Sequence, residues 1–358
     1  MNRSQGKSLG LTTYDVVIPI KDGEQFIKRA VLSVLNQTIL PASVIVVNDS
    51  SRDKSRECVE ELISLASSLG VKVKWIDSDG VGVSAARNFG ISHSTSDIIA
   101  LLDCDDVWLN HKMELQLEVL EPNVLVHCGY ILIDADENFI RRQTESRVFT
   151  AQGLFEMNYQ VTGSASAAIF RRADFFRISG FDENLRYSED FDVWLQFAAT
   201  GSILCVPEHL VMIRQHADST QAYLRNLHSR IENLESLLYV WDKNRNLETP
   251  NSKYENCKPP IRMWIKWFFM EIHLKPSLAR DFERALFSRE GIDRVKRLKQ
   301  FSFHRYVYWQ VYFYTLTEVL LYRIDRKIYV RALKKLSYEC GRPVRKVKYE
   351  YQKRFSKA

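Results

Sequence analysis

Three carboxylates within four positions close an apolar run at Leu101-Leu102-Asp103-Cys104-Asp105-Asp106. Carboxylates this close raise one another's pKa unless a cation lies among them. Hard oxygen donors at a strand end suit Mg²⁺ or Mn²⁺, ions that keep positions open for phosphate oxygens. A plain polar turn is the competing reading. A second acidic cluster, Asn48-Asp49-Ser50-Ser51 with Asp53, also follows a β-branched run. A carboxylate there suits ribose hydroxyls or a base N–H, while Ser51 or Asp53 would equally cap a following helix. In Gly82-Val83-Ser84-Ala85-Ala86-Arg87-Asn88-Phe89-Gly90 the small residues allow close packing on a sheet. Arg87 offers a planar fork for phosphate, or sits solvated at the surface.

Two further segments carry candidate chemistry. In Tyr187-Ser188-Glu189-Asp190-Phe191-Asp192-Val193-Trp194, helical spacing puts Asp190, Trp194 and Phe197 on one face. Burial raises a carboxylate's pKa and a helix N-terminus lowers it. The balance can yield a base poised to take a hydroxyl proton; acidic residues that merely favour a first helical turn are the alternative. In Arg214-Gln215-His216 a neutral imidazole would complete a metal shell or touch a diphosphate, unless it is structural.

Regular elements must position these groups. β-branched or apolar runs at Asp15–Ile20, Ser43–Val47, Val71–Ile76 and Ile98–Leu102 alternate with helical patterns at Glu24–Gln37, Asp53–Leu69 and Val83–Ile91. This order predicts a parallel sheet with right-handed crossovers, with ligands gathered beyond the carboxyl ends of its strands. Val124–Ile133 and Ser164–Phe170 resume strand character. Tyr187–Gly201 reads as one helix, capped by Ser188 and stopped by Gly201. Ile203–Val206 and Leu210–Ile213 read as two short strands. Beyond about residue 221 the pattern is helical. The expected organisation is an N-terminal tail at 1–13, an α/β domain at 14–220, and a helical, aromatic-rich, basic region at 221–358.

The 358 residues are 46% hydrophobic, which excludes wholesale disorder. Six widely spaced cysteines without a C-x-x-C pair exclude a zinc ribbon and a disulfide scaffold, and fit a reducing compartment. The net charge is +6, but residues 323–358 hold thirteen Lys/Arg against three Asp/Glu, so the remainder is mildly acidic. Ile261–Leu274 and Tyr306–Tyr322 are aromatic-rich. Together these point either to peripheral contact with an anionic membrane or to an ordinary helical bundle with a solvated basic face. Met1–Thr13 lacks the apolar core of a signal peptide. Tyr306–Tyr322 is short for a bilayer core of about 30 Å. The expected location is cytoplasmic, with contact at the inner face of the membrane.

The order and spacing of VVIPIKDGEQFIKRAVLSVLNQT, VIVVNDSSRD, GVSAARNFG, LLDCDDVW, GFDENLRYSEDFDVWLQFA and RQH resemble the family 2 glycosyltransferases of the GT-A fold. The resemblance runs from Tyr14 to about Gln221. It implies a Rossmann-like, mostly parallel sheet flanked by helices, and inverting transfer of a sugar from a nucleotide-diphosphate donor, expected to be a UDP-sugar, with Mn²⁺ or Mg²⁺. By position, Pro19, Ile20, Asp22, Asp49, Arg87, Asp103 and Cys104 would bind the nucleotide sugar. Asp105, Asp103 and His216 would serve the metal. Asp190 would be the catalytic base, and Glu189 and Trp194 would face the acceptor. Many members carry Asn where Asp22 stands. The implied acceptor is a saccharide or lipid-linked saccharide, in synthesis of cell-surface polysaccharide or glycolipid. Nucleic acid is not an expected partner.

Rival classes fit less of the chain. Asp103-Cys104-Asp105-Asp106-Val107 formally matches the D-x-D-x-V loop of haloacid-dehalogenase-type phosphatases, but that loop closes a first strand and three strand patterns precede it here. A nucleotidyltransferase needs a Gly-rich phosphate loop, and Lys21-Asp22-Gly23 is a poor one. A nucleic-acid binder would use the basic tail and leave the carboxylate clusters without a role.

Overall fold

The computed structural model describes residues 13–78, 82–143, 148–149, 154, 164–217, 219, 227–244, 248–249 and 252–253. All of them belong to one compact unit, Met1–Pro260. Ile261–Leu274, Tyr306–Tyr322 and the basic tail lie outside the described residues. The first half runs β1 (Tyr14–Ile20), α1 (Ile27–Leu35), β2 (Ser43–Asn48), α2 (Ser55–Glu60), α3 (Ile63–Ser68), β3 (Lys72–Asp77), α4 (Val83–Ser92), β4 (Ile98–Leu101), β5 (Val107–Trp108) and α5 (Lys112–Glu118). The second half runs β6 (Leu125–Ile133), β7 (Phe139–Gln143), β8 (Val148–Phe149), a 3₁₀ turn (Ala165–Ala167), β9 (Ile169–Arg171), α6 (Arg172–Phe175), α7 (Glu189–Thr200), β10 (Ile203–Arg214), α8 (Leu227–Asn244) and a small hairpin of β11 (Glu248–Thr249) and β12 (Ser252–Lys253).

One sheet orders its strands β3-β2-β1-β4-β9-β6-β10-β5, with β7 beside β6 and β8 beside β10. β1, β2, β3 and β4 are mutually parallel where they pair. β9 then runs antiparallel between β4 and β6. The sheet is therefore parallel in its first half and mixed in its second. The helix expected over 53–69 is two, α2 and α3, and the two short strands expected after 203 are one, β10, with an irregular register around Pro207.

Both faces of the parallel half are covered, which is why its strands read as continuous apolar runs. Val16, Ile18 and Ile20 face the core formed with α1, α2, α3 and α5. Val17, Ile45, Val47, Ile99 and Leu101 face a second core with α4 and α7. On α4, a Cβ at Gly90 would stand 2.5 Å from Val17 Cγ1 and 2.8 Å from Val47 Cγ2, so only glycine lets this helix lie so close to β1 and β2. That close seat brings Arg87, one turn earlier, over the strand ends.

The helix α8 packs against the same body. Leu237 and Val240 are buried, and Val240 belongs to the core shared with α7. The body that contains the sheet thus continues beyond residue 220. No described helix is long and apolar enough to cross a membrane.

Candidate active site

A cleft of about 480 Å³ opens at the carboxyl ends of β1, β2 and β4. Pro19, Ile20 and Asp49 form one wall, Asp103, Cys104 and Asp105 another, and Glu189 and Asp190 face it from the start of α7. Arg87, Ser164, Tyr187, Ser188 and Asn233 also line it.

The position of Asp49 follows from the strand register. Ile20 pairs with Asn48, and Asp49 N–H donates to Ile20 O at 2.8 Å, so its carboxylate emerges where β1 and β2 end. Gly82, with φ of 103°, opens α4 in a conformation that L side chains avoid, and donates its N–H to Asp49 Oδ1 at 3.3 Å. Lys21 Nζ lies 3.7 Å from the other oxygen.

The acidic loop splits its three carboxylates among three tasks. Asp103 Oδ1 accepts from Arg87 Nη2 at 2.7 Å. Asp105 Oδ2 lies 3.0 Å from His216 Nε2. Asp106 is buried and accepts from Ser166 Oγ at 2.6 Å, Ser164 Oγ at 3.0 Å and Arg214 N at 3.0 Å. Burial first, then the neighbouring charges of Asp105 and Asp103, push the Asp106 pKa well above the usual carboxylate range. Burial likewise holds the Cys104 thiol protonated, reinforced by Asp105 and Asp103. Asp106 is therefore the joint that fixes the loop. The sequence does not separate it from Asp103 and Asp105, because only packing distinguishes the three.

His216 reaches this loop because β10 runs antiparallel to β5, pairing Met212 with Val107. Arg214 Nε donates to Asp105 O at 2.9 Å, and Arg214 Nη2 donates to Glu137 at 2.8 Å. Phe26 supports the arrangement from below, with its ring 4.8 Å from that of His216 and 5.1 Å from the Arg214 guanidinium. No local pattern marks Phe26 or Glu137, whose partners lie far away in the chain.

Arg87 is buried, and its guanidinium bridges the two sides of the cleft: Asp103 at 2.7 Å and Glu189 at 2.9 Å. Burial opposes its charge, but those two carboxylates outweigh it and hold its pKa above the ordinary value. Asp190 Oδ1 accepts from its neighbour Phe191 N at 2.7 Å. Burial, then the Glu189 charge, push its pKa up to about 7, against the opposing pull of Arg87.

Two expected site residues stand elsewhere. Trp194 is 1% exposed and packs edge-on to His127 at 4.9 Å in the core, so it does not wall the acceptor side. It lies one turn beyond Asp190, and that turn carries it from the cleft down onto the sheet. Asp22 has φ of 51° and accepts from Arg52 N at 2.7 Å. Its carboxylate thus ties the loop after β1 to the loop after β2 and does not line the cleft. Ser188 also departs from expectation. It has φ of 62°, makes no side-chain cap to α7, and donates its hydroxyl to Asn233 Oδ1 at 2.9 Å. A left-handed serine costs on the order of 1 kcal/mol and is held here immediately before Glu189 and Asp190.

A solved structure with this architecture is TarS 1-349 of S. aureus in complex with UDP. It superposes with a TM-score of 0.52 over 80% of this chain and 78% of that one, at 16% identity, which establishes a shared fold. That fold is the GT-A fold of glycosyltransferases. The sequence profile of Glycosyl transferase family 2 matches residues 15–178. The uncharacterized glycosyltransferase RT0329 of Rickettsia typhi is 30% identical over 227 residues, covering 59% of this chain and 67% of that protein. RP339 of Rickettsia prowazekii, likewise an uncharacterized glycosyltransferase, is 29% identical over 219 residues, covering 57% and 64%. The chain belongs to glycosyltransferase family 2. Its matches span about two thirds of those two relatives' length.

Proposed function

We propose that this protein transfers a sugar, with inversion, from a nucleotide-diphosphate donor, a UDP-sugar, to an acceptor hydroxyl. The observation that carries this reading is the placement of Asp49, Asp103, Asp105 and the half-buried Asp190 along one cleft. In this reading Pro19, Ile20 and Asp49 receive the nucleoside, with Asp103 and Cys104 beside the ribose and diphosphate. Asp190, raised to about 7, is matched to take the acceptor's proton near neutral pH. As the proton leaves, the acceptor oxygen forms its bond to the anomeric carbon. The bond to the diphosphate breaks on the opposite side, and the diphosphate departs with the electron pair. A single in-line displacement inverts the configuration.

Asp105 and His216 suit a divalent cation. An oxygen and a nitrogen donor meet within 3.0 Å at the cleft. Among the described residues no group of three or more His, Cys, Asp and Glu stands ready to hold a metal alone. Two protein donors completed by donor phosphates match the way Mg²⁺ is usually held. Mn²⁺ or Mg²⁺ bound there would neutralise charge growing on the leaving diphosphate. Arg87 lines the cleft and pairs with Asp103 and Glu189, holding both carboxylates in place beside the candidate donor position.

The acceptor is a saccharide or lipid-linked saccharide of cell-surface polysaccharide or glycolipid synthesis. The +10 charge of residues 323–358 favours peripheral contact with an anionic leaflet. A panel of nucleotide sugars, scored by release of nucleoside diphosphate with Mn²⁺ and with EDTA, tests the reading. Metal-dependent release from at least one UDP-sugar is expected; no release from any donor overturns it.

A further inference from the structure

The helix α8 contributes to the cleft although it lies beyond the segment that the family profile covers. Its inward stripe is Asn233, Leu237, Val240 and Asn244, spaced at four, three and four residues. Leu237 and Val240 are buried against the catalytic body. At the far end, Asn244 Nδ2 donates to Asp192 Oδ1 at 2.6 Å, and Lys243 Nζ donates to Asp192 Oδ2 and Asp182 Oδ2, both at 2.8 Å. Asp192 is fully buried and also accepts from Gln196, so α8 is latched to α7 by a charge with no access to water. One turn before Leu237 stands Asn233, which lines the cleft beside Ser188, Glu189 and Asp190, and one turn before that Ser229 is buried.

The hydrogen bond at that end sets the amide's direction. Ser188 Oγ donates to Asn233 Oδ1 at 2.9 Å. The carboxamide oxygen is thereby occupied, and the amide nitrogen keeps two donors for the cleft. Ser188 in turn holds the left-handed backbone that launches Glu189 and Asp190 into α7. An amide donor beside a candidate base is suited to the lone pairs of a sugar hydroxyl.

Building on the transferase reading above, we propose that Asn233 recognises a hydroxyl of a saccharide acceptor. Through Ser188 it also orients the turn that carries Asp190, so that acceptor binding and base placement share one contact.

Two variants separate recognition from scaffolding. Asn233→Asp keeps an oxygen for Ser188 but removes the amide donors; Asn233→Ala removes both. Binding of UDP and of the methyl glycosides of glucose, galactose, N-acetylglucosamine and rhamnose is followed by saturation-transfer NMR on the full chain with Mn²⁺. The wild type is expected to engage UDP and at least one glycoside. In Asn233→Asp the affinity for that glycoside should fall at least tenfold more than the affinity for UDP, with the melting temperature held. In Asn233→Ala the melting temperature should fall as well. Equal losses for UDP and glycoside, or an undiminished glycoside signal in Asn233→Asp, overturn the proposal. Binding of UDP without any glycoside by the wild type overturns the role of Asn233 and leaves the donor site standing. Failure of the wild type to bind UDP overturns the transferase reading and this inference with it.

Discussion

Arg87 Nη2 lies 2.7 Å from Asp103 Oδ1, in a side chain that is 4% exposed and whose Nη1 lies 2.9 Å from Glu189 Oε1. Here the fork is closed on two carboxylates, one on the candidate donor side and one on the candidate acceptor side. The pair makes Arg87 a positioning residue, and its charge lowers the pKa of Asp190.

Replacing Arg87 by Met leaves Asp103 and Glu189 facing each other unpaired. Removing one partner of a buried ion pair costs about 3–5 kcal/mol, so the melting temperature of Arg87→Met should drop sharply. The pH at which activity reaches half its maximum should also move up, because the cation that opposes the raised pKa of Asp190 is gone. Arg87→Lys should restore part of both. Thermal melts and a pH profile of donor turnover check this together.

Asp190→Asn should cut transfer about 10²–10⁴-fold with UDP binding kept. In the wild type the rate should rise with pH through about 7, as the base ionises. Stability runs the other way. The folded-state pKa of about 7 exceeds the ordinary 3.8, so between those values the folded protein holds the proton that the unfolded chain has released. Stability then falls as pH rises through that window. Asn carries no such cost, so Asp190→Asn should melt higher than the wild type at pH 8, with the advantage gone below pH 4. Near-normal turnover by the folded variant would remove Asp190 from the chemistry.

Asp105→Asn and His216→Ala should each weaken activation by Mn²⁺ at least tenfold, seen as a rightward shift of the metal titration. EDTA should abolish release of nucleoside diphosphate by the wild type. Titrating Mn²⁺ against the UDP-induced thermal shift measures the same loss without turnover.

Asp106→Ala leaves the hydroxyl of Ser166 and the N–H of Arg214 without their common acceptor, while the Ser164 hydroxyl keeps Asp103 within reach. Each unsatisfied buried donor costs about 1–3 kcal/mol. Equilibrium denaturation should show a loss of several kcal/mol, larger than for Asp49→Ala.

The full chain should co-sediment with vesicles containing anionic lipid and release them as salt rises. Exchanging Arg345, Lys346 and Lys348 for Gln should weaken binding by about 1 kcal/mol per charge. Unaltered sedimentation would reassign the basic segment.

Local patterns carried much of this protein's design. The apolar runs of β1, β2 and β4 and the acidic residues after them are contiguous in the chain, so hydrophobic period and turn chemistry reveal both the strands and the carboxylates at their ends. Small residues around Gly90 disclosed the close seat of α4. Other features come from long-range packing, which no local window records. The antiparallel return of β10 beside β5 brings His216 to Asp105 across 111 residues. Burial singles out Asp106 from its two acidic neighbours, and one helical turn separates Asp190 in the cleft from Trp194 in the core. Asn233 enters the cleft only because Asp192, buried and charged, finds Lys243 and Asn244 on a helix some fifty residues further on. Residue type and spacing depend on the chain's own neighbours, whereas charge pairing and exclusion of water depend on which distant segments fold against one another.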